Sequence, residues 1–185
     1  MGPLIVVSGP AGSGKSTLVR RLLDESTWLI HFGVSATTRR PRLGEKDGVQ
    51  YHFWSVPEFV KKKDAGEFLE WAQVHGNYYG TPSSEVTPYR EKGVGVLLDI
   101  DVQGYKQVKV CCPEAVSIFI RTTDFAALEQ RLRARHTEDE AALQRRLTNA
   151  RAELAQAHEY DHQVINDDLE TAFNQMRVIL GPLFV

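Results

Sequence analysis

Apolar runs and helically spaced apolar positions alternate along most of the chain. Short runs rich in Val, Ile and Leu predict buried strands at residues 4–8, 31–34, 94–100, 116–120 and 163–166. Apolar residues recur with helical spacing at residues 17–23, about 103–110, 125–135, 138–158 and 169–180. This alternation predicts an α/β fold, in which helices cover both faces of a parallel five-stranded sheet and form a three-layer core.

Two stretches depart from the alternation. Residues 35–93 are rich in Arg, Tyr, Gly and Pro, with short alternating stretches such as residues 51–54 and a helix predicted near 57–65. We interpret them as an inserted subdomain that carries a second substrate. Residues of about 125–151 form a separate, arginine-rich helical segment. The rest of this single predicted domain is a core made of residues 1–34, 94–124 and 152–185.

Composition narrows the class of protein. A length of 185 residues suits one α/β domain, and a net charge of −2 argues against a general nucleic-acid or membrane-surface binder. Cys111 and Cys112 are adjacent and cannot pair in an ordinary disulfide, which indicates a reduced, cytoplasmic setting. The first apolar run is too short for a signal peptide, and no transmembrane segment is predicted. We expect small-molecule substrates, no nucleic-acid or membrane partner, and a monomer or homodimer.

A phosphate-binding loop follows the first predicted strand and precedes the first predicted helix. Residues 9–16 match the pattern G-x-x-x-x-G-K-[ST] in full, and this context argues against a simple Gly-rich turn. Backbone N–H groups of such a loop surround a phosphate at the positive end of the helix. Lys15 can reach the β- and γ-phosphates, and the Ser16 hydroxyl can bind Mg²⁺. The candidate ATP-binding residues here are Gly9, Pro10, Ala11, Gly12, Ser13, Gly14, Lys15, Ser16 and Thr17.

A second part of a triphosphate site is predicted at the end of the strand at 94–100. Asp99 follows four apolar residues, as in a Walker B strand, and can hold Mg²⁺ directly or through water. Asp101 lies two residues further and points to the same side if the backbone stays extended. Together with the phosphate loop, these residues predict a nucleoside triphosphate site with Mg²⁺ as cofactor.

Several motifs together resemble the guanylate kinase family. They lie in the order and spacing of that family at residues 35–42, 48–53, 68–72, 76–82, 98–104 and 164–168. The resemblance implies a P-loop nucleoside monophosphate kinase fold, with a GMP-binding subdomain at 35–93 and a helical lid at about 125–151. It also implies transfer of the γ-phosphoryl group of MgATP to GMP and dGMP, in purine nucleotide metabolism and GMP recycling.

The acceptor's phosphate needs cationic and hydroxyl donors. Arg39 and Arg42 can make bidentate contacts with it, and the hydroxyls of Tyr51 and Tyr79 can add hydrogen bonds. By family resemblance these four residues hold the GMP phosphate, and Arg39 is also a candidate catalytic residue.

The acceptor's base needs a carboxylate. Guanine presents N1–H and N2–H₂ side by side, and one carboxylate accepts from both, whereas adenine presents an acceptor at N1. By resemblance Glu70 makes this contact, with the Ser35 and Thr81 hydroxyls at other polar atoms of the base. Sites of this kind discriminate by about 10⁴-fold. The resemblance also places Asp99 and Asp101 in the GMP site.

Three arginines and one asparagine complete the candidate site. Guanidinium groups directed at the transferred phosphoryl group stabilise its transition state, and losing one costs about 10³–10⁵ in rate. We assign this role to Arg135 and Arg146, assign ATP contact to Arg131, and interpret Arg133 and Arg145 as solvated. The resemblance adds Asn166 to the ATP site. Lys15 and Asp99 complete the catalytic set.

Three other interpretations remain open from the sequence. Residues 158–162 match the zinc-protease pattern H-E-x-x-H, but the following run at 163–166 predicts a strand, which would take His162 off the helix face. A kinase with a sugar-phosphate acceptor would not need Glu70, Ser35 and Thr81 together. A non-catalytic, phosphopeptide-binding module would be expected to have lost the phosphate loop, which is complete here.

Overall fold

The computed structural model describes residues 1–74, 76–134 and 140–184. Within these ranges the strands are β1 Leu4–Ser8, β2 Ile30–Phe32, β3 Ala36–Thr37, β4 His52–Phe53, β5 Phe68–Val74, β6 Asn77–Pro82, β7 Gly95–Asp99, β8 Val116–Arg121 and β9 His162–Ile165. The helices are α1 Lys15–Glu25, α2 Val56–Asp64, α3 Thr87–Glu91, α4 Val102–Cys111, α5 Phe125–Arg133, α6 Glu140–Leu154 and α7 Leu169–Leu180. Short 3-10 helices lie at Ser83–Glu85, Ala157–Glu159 and Gly181–Phe184.

The central sheet has five strands in the order β2-β7-β1-β8-β9. Ile30 of β2 pairs with Gly95 of β7 in parallel, and Ile118 of β8 pairs with His162 of β9 in parallel. Every residue of β1 is buried, as expected for an apolar strand inside a parallel sheet covered on both faces. The predicted α/β fold with a five-stranded parallel sheet is confirmed.

Some predicted boundaries are wrong by a few residues. The strand predicted at 31–34 is Ile30–Phe32, and the helix predicted at 138–158 ends at Leu154, with its described part beginning at Glu140. After Leu154 the α-helix gives way to the 3-10 helix Ala157–Glu159, in which Ala157 is still buried. Beyond it, the Tyr160 ring packs edge-on against Phe119, with centroids 5.0 Å apart, and the chain must leave the helix axis to make that contact.

A second sheet forms within the segment predicted to be an insertion. Its four strands have the order β4-β3-β6-β5, and β5 and β6 form an antiparallel hairpin. Helix α2 covers it, because Phe59 stacks on Phe68 with ring centroids 4.4 Å apart. The helix predicted near 57–65 is confirmed, but the hairpin is much longer than the short alternating stretches indicated.

The chain divides into two compact units. The first unit consists of Met1–Ile5 and Leu29–Ala115, and it contains the four-stranded sheet with α2, α3 and α4. The second consists of Val6–Trp28 and Val116–Val185, and it contains α1, α5, α6 and α7. The candidate acceptor residues therefore belong to the first unit, and the phosphate loop belongs to the second.

Helices α5 and α6 form a small core of their own in the second unit. Leu128 and Leu132 of α5 are buried with three residues of α6, Leu143, Leu147 and Ala150. Their spacing places one apolar stripe on each helix, so the two helices bury these faces and leave the arginines on the other faces. Across the described ranges, no helix has both the length and the apolar character needed to cross a bilayer.

Candidate active site

The phosphate loop connects β1 to α1 in the second unit. Gly14 adopts a left-handed conformation at φ 84°, and a Cβ there would lie 2.1 Å from the Asn166 side-chain nitrogen. Gly9 has a similar constraint, because a Cβ would lie 2.2 Å from the Ile120 carbonyl oxygen. The loop therefore follows its course only with glycine at both positions.

Asn166 stabilises the phosphate loop through a hydrogen bond to the loop backbone. It follows β9, is only 5% exposed, and donates a 2.7 Å hydrogen bond from Nδ2 to the carbonyl oxygen of Ser13. A buried amide–carbonyl bond of this kind is costly to lose because the carbonyl would be left without a partner. The structure thus brings the predicted ATP residue Asn166 to the loop backbone.

The start of α1 suits an anion. Lys15 and Ser16 occupy its first turn, and Gly14 caps the helix without a side chain, so the positive end of the helix carries no acidic side chain in its first turn. The Ser13 hydroxyl is buried and has no hydrogen-bond partner among the described residues. Backbone N–H groups without a side-chain cap, together with the buried Ser13 hydroxyl, can donate hydrogen bonds to the oxygens of a phosphate.

Glu70 is a buried carboxylate in the first unit. It lies on β5 immediately after an irregularity in the pairing with β6, between Phe68 and Glu70, and such a bulge redirects the following side chain. It is 5% exposed and accepts a 2.6 Å hydrogen bond from Thr81 Oγ1. The Ser35 hydroxyl lies 3.3 Å from the same Thr81 oxygen. Three residues predicted to contact guanine are therefore neighbours.

The environment of Glu70 favours its neutral form in the unliganded protein. Burial, with a smaller contribution from the negative charge of Asp101, raises the pKa of Glu70 to about 7 although the Thr81 hydrogen bond lowers it. Gly104 closes the pocket on the far side, where a Cβ would lie 2.4 Å from Glu70 Oε2.

Arg39 is held by a carboxylate that the sequence analysis did not single out. Glu45 accepts from both Nη atoms of Arg39 at 3.0 and 2.9 Å, and it also accepts from the backbone N–H of Arg42 at 2.6 Å. The hydrogen bonds from Arg39 lower the pKa of Glu45, and the pKa of Arg39 is raised in turn by Glu45. The Arg42 residue itself is exposed.

The two predicted tyrosines lie beside Arg39. The Arg39 guanidinium carbon is 5.6 Å from the centroid of the Tyr51 ring, and the Tyr51 and Tyr79 rings meet edge-on with centroids 5.9 Å apart. Burial raises the pKa of Tyr51 to about 12, and the charge of Asp99 adds to this shift. Arg39, Tyr51 and Tyr79 thus form one cluster that can donate to an anion.

The two aspartates at the end of β7, Asp99 and Asp101, have different surroundings. Asp99 is the last residue of the strand and is half-buried. Asp101 caps α4, because its Oδ1 accepts from the backbone N–H groups of Gln103 and Gly104 at 3.0 and 2.9 Å. The sequence analysis missed this cap, although an Asp just before a helix is a usual starting signal.

The arginines of α5 and α6 differ in their partners. Arg131 donates to the carbonyl oxygen of Asp167 at 3.3 Å, and Arg146 is half-buried on α6. Arg133 forms ion pairs with Glu129 and Glu140, which agrees with its interpretation as a surface residue. Arg135, the other predicted transition-state residue, lies outside the described residues.

The chain is similar to known guanylate kinases over nearly its whole length. The family model described as guanylate kinase matches residues 1–182. A guanylate kinase of Rubrobacter xylanophilus is 48% identical over 179 residues, which cover 97% of this chain and 93% of that protein. One of Nitratidesulfovibrio vulgaris is 47% identical over 176 residues, covering 95% of this chain and 84% of that protein.

The chain belongs to the guanylate kinase family. The crystal structure of a guanylate kinase from Anaplasma phagocytophilum matches with a TM-score of 0.81 at 33% identity, over all of this chain and 87% of that chain. A shikimate kinase from Bacteroides thetaiotaomicron, at 15% identity and a TM-score of 0.51, shares only the fold; the match covers 97% of this chain and 98% of that chain.

Membership of the guanylate kinase family confirms the predicted enzyme class. The reaction is ATP-dependent phosphorylation of GMP to GDP, as predicted. The comparisons therefore support neither a kinase with a sugar-phosphate acceptor nor a non-catalytic binding module.

The zinc-protease pattern has no structural counterpart. His158 lies in the 3-10 helix Ala157–Glu159, whereas His162 is the first residue of β9. The two histidines consequently do not share one α-helical face, which that pattern requires. This separation of the two histidines agrees with the prediction that a strand begins near this point and takes His162 off the helix face.

Proposed function

We propose that residues of the two units have separate tasks in phosphorylating GMP and dGMP with MgATP. The first unit binds the acceptor nucleotide with a subdomain at 35–93, and the second binds ATP and carries the lid at about 125–151. The observation that carries this proposal is the buried Glu70 carboxylate beside the Thr81 and Ser35 hydroxyls. We further place the reaction in the cytoplasm, in purine nucleotide metabolism and GMP recycling.

Guanine selection rests on the ionised Glu70. A carboxylate accepts from N1–H and N2–H₂ together, and these two charge-assisted bonds offset the cost of keeping a charge in a buried pocket. Thr81 already donates to Glu70 at 2.6 Å, so one carboxylate oxygen is oriented before the base arrives. Adenine would place an acceptor against this carboxylate, which leaves both groups unpaired.

The acceptor phosphate is bound by the cluster of Arg39, Arg42, Tyr51 and Tyr79. Arg39 is held in place by Glu45 through two hydrogen bonds, and its guanidinium has five N–H donors, so some remain for a phosphate. Tyr51 is protonated at neutral pH even at the ordinary tyrosine pKa of 10, and burial raises its pKa to about 12, so it remains a hydrogen-bond donor. We place Asp99 and Asp101 at the edge of this site.

The donor triphosphate is bound by the loop from Gly9 to Thr17. Backbone N–H groups of the loop and the start of α1 surround its phosphates, and Lys15 neutralises the charge that is shared by the β- and γ-groups. Arg131 contacts ATP, and Asn166 keeps the loop in shape through its bond to Ser13.

Magnesium fits the donor atoms that are available. Ser16 and Asp99 would hold the ion, because they offer a hydroxyl and a carboxylate oxygen, which are ligands that Mg²⁺ takes. In the described part of the chain no group of His, Cys, Asp and Glu side chains could hold a metal alone, which agrees with a cation that arrives with ATP. When bound, Mg²⁺ neutralises charge on the β- and γ-phosphate oxygens.

The transferred phosphoryl group is stabilised by Arg146 and Arg135, together with Lys15 and Arg39. The acceptor oxygen is already anionic, so no strong general base is required. The residues of the lid exclude water, which would otherwise hydrolyse ATP.

An acceptor panel tests the proposed function. ADP formation is measured from MgATP with GMP, dGMP, AMP, UMP, CMP and ribose bisphosphate. GMP should exceed AMP in kcat/KM by about 10⁴-fold, and dGMP should be used as well. Equal use of AMP and GMP would contradict the guanine assignment, and use of ribose bisphosphate would favour a sugar-phosphate acceptor.

A further inference from the structure

The strand that carries Glu70 lies at the edge of its sheet. β5 is the last strand in the order β4-β3-β6-β5, so one side of its backbone has no neighbouring strand. An edge strand interrupted by a bulge is poorly constrained unless other groups take up its outward N–H and C=O groups. The position of Glu70 therefore depends on what lies against that edge.

Helix α4 covers the edge beside Glu70. The side chain of Gln107 accepts from the backbone N–H of Trp71 at 3.1 Å and donates to the carbonyl oxygen of Trp71 at 2.7 Å. One side-chain amide thus makes the pair of hydrogen bonds that an additional strand would make, at the residue next to Glu70.

The same helix continues along the strand. Cys111 lies one turn after Gln107, and its Sγ is 4.0 Å from the carbonyl oxygen of Leu69, on the other side of Glu70. Gly104 lies about one turn before Gln107, where a Cβ would be 2.4 Å from Glu70 Oε2 and 2.9 Å from its carboxyl carbon. Residues on one face of α4 therefore contact the backbone on both sides of Glu70 and the carboxylate itself.

We propose that Gln107 is a positioning residue for guanine specificity. It fixes the backbone of Trp71, which directs the Glu70 carboxylate toward Thr81 and toward the base, while Gly104 leaves the space that the carboxylate occupies. Gln107 does not touch the nucleotide, so its effect on GMP passes through Glu70. The inference rests on the proposed function, in which Glu70 binds guanine.

A double-mutant cycle tests this role. Gln107→Met keeps the length of the side chain and removes both hydrogen bonds, and Gln73→Met is the matched control, because Gln73 is an exposed residue of the same strand. The affinity for GMP and for ATP is measured by calorimetry at pH 8.5 in each variant, alone and combined with Glu70→Gln. Gln107→Met should weaken GMP binding about ten-fold, which matches the loss of hydrogen bonds that orient a charged group.

The expected pattern is specific. ATP affinity stays within about two-fold in Gln107→Met, Gln73→Met has no effect, and Gln107→Met adds less than about two-fold in the Glu70→Gln background, because coupled residues are not additive. If Gln107→Met fails to fold, Gln107→Glu completes the cycle, since it keeps an acceptor for Trp71 N–H and loses the donor.

Three results would overturn the inference. Normal GMP binding by Gln107→Met, or the same loss in both backgrounds, would show that Gln107 does not act through Glu70. Normal GMP binding by Glu70→Gln would remove the guanine contact of the proposed function, and the inference with it.

Discussion

Thr81 donates its hydroxyl hydrogen to Glu70 over 2.6 Å, inside a pocket where the carboxylate is only 5% exposed. Burial raises the pKa of Glu70 more than this bond lowers it, so the pKa is about 7. A carboxylate with this pKa is half protonated at neutral pH, and guanine binding draws it into the ionised form. The pair therefore links base recognition to pH.

GMP affinity should depend on pH through Glu70. Protonated Glu70 cannot accept from both N1–H and N2–H₂, so affinity should fall by up to about ten-fold per pH unit below pH 7 and level off above it. Calorimetry from pH 5.5 to 8.5 measures this. Glu70→Gln is the control, because it retains the ionisation of the GMP phosphate, and an unchanged profile in that variant would contradict the prediction.

Glu70→Gln should make the unliganded protein more stable at alkaline pH. The folded pKa of about 7 lies above the unfolded value of 4.5, so the wild-type protein binds more protons when folded and loses stability as pH rises from 4.5 to 7. Glutamine lacks this penalty, which is on the order of 3 kcal/mol once Glu70 is ionised. Urea unfolding should show the difference at pH 8 and little difference at pH 4.5. If Glu70→Gln were less stable than the wild-type protein at pH 8, the claim that burial destabilises the ionised Glu70 carboxylate would be wrong.

Glu45→Gln should weaken GMP binding without affecting ATP. The Arg39 guanidinium is held by the two hydrogen bonds that it donates to Glu45, and replacing the carboxylate by an amide loses a charge-assisted, bidentate contact. We expect about a ten-fold rise in the Kd for GMP, on the order of the 1.4 kcal/mol that orienting hydrogen bonds contribute. The control is Glu67→Gln, which breaks an exposed pair with Lys62. Tighter GMP binding would instead identify Glu45 as a competitor of the phosphate.

Gly14→Ala should abolish turnover, whereas Gly44→Ala should be tolerated. Both glycines have positive φ, at 84° and 86°, so the backbone strain of about 1 kcal/mol is common to the two variants. Only at Gly14 does the new Cβ meet another group, the Asn166 nitrogen at 2.1 Å, while nothing lies within 4 Å of the one at Gly44. Steady-state kinetics and ATP affinity measure the outcome. Similar activity of both variants would argue against a loop held by Asn166.

Gly104→Ala should reduce GMP affinity although alanine favours helices. A solvated helical glycine gains about 1 kcal/mol of stability on replacement by alanine. At Gly104 the methyl group would lie 2.4 Å from Glu70 Oε2, so the carboxylate must move. GMP binding by calorimetry should weaken by about a hundred-fold or more, as expected when a hydrogen-bonding site loses its geometry. Wild-type affinity would show that Glu70 tolerates displacement.

The sheet core and the phosphate loop could be predicted from the sequence, because both depend on local patterns. Leu4 to Val7 of β1 are apolar since the strand is buried on both faces, and the phosphate loop is a contiguous motif that is recognised without knowing that Ile120 and Asn166 lie against it. The hairpin of β5 and β6 was harder to predict. The buried, polar Glu70 and the exposed, apolar Trp71 interrupt its alternation, and the pairing of Trp71 with Gly80 is not visible in either strand alone.

The sequence predicted which residues form the candidate site more fully than it predicted how those residues are arranged. Ser35, Glu70 and Thr81 come together as expected, because Glu70 and Thr81 lie on the adjacent strands β5 and β6 and Ser35 directly precedes β3, the other neighbour of β6. The ion pair of Arg39 with Glu45 lies in a loop without periodicity, so no pattern indicated it. The importance of Gly104 could not be predicted, because it rests on the contact with the Glu70 carboxylate. Glu70 lies on a strand that is distant in the sequence, and only folding brings it to α4.

The ratio of kcat/KM for GMP to kcat/KM for AMP, compared between the wild-type protein and Glu70→Gln, tests the central claim most directly. The wild-type ratio should be about 10⁴, and the Glu70→Gln ratio should fall by at least a hundred-fold while the KM for ATP stays the same, because only the base contact is lost. An unchanged ratio in Glu70→Gln would contradict the claim that this buried carboxylate selects guanine.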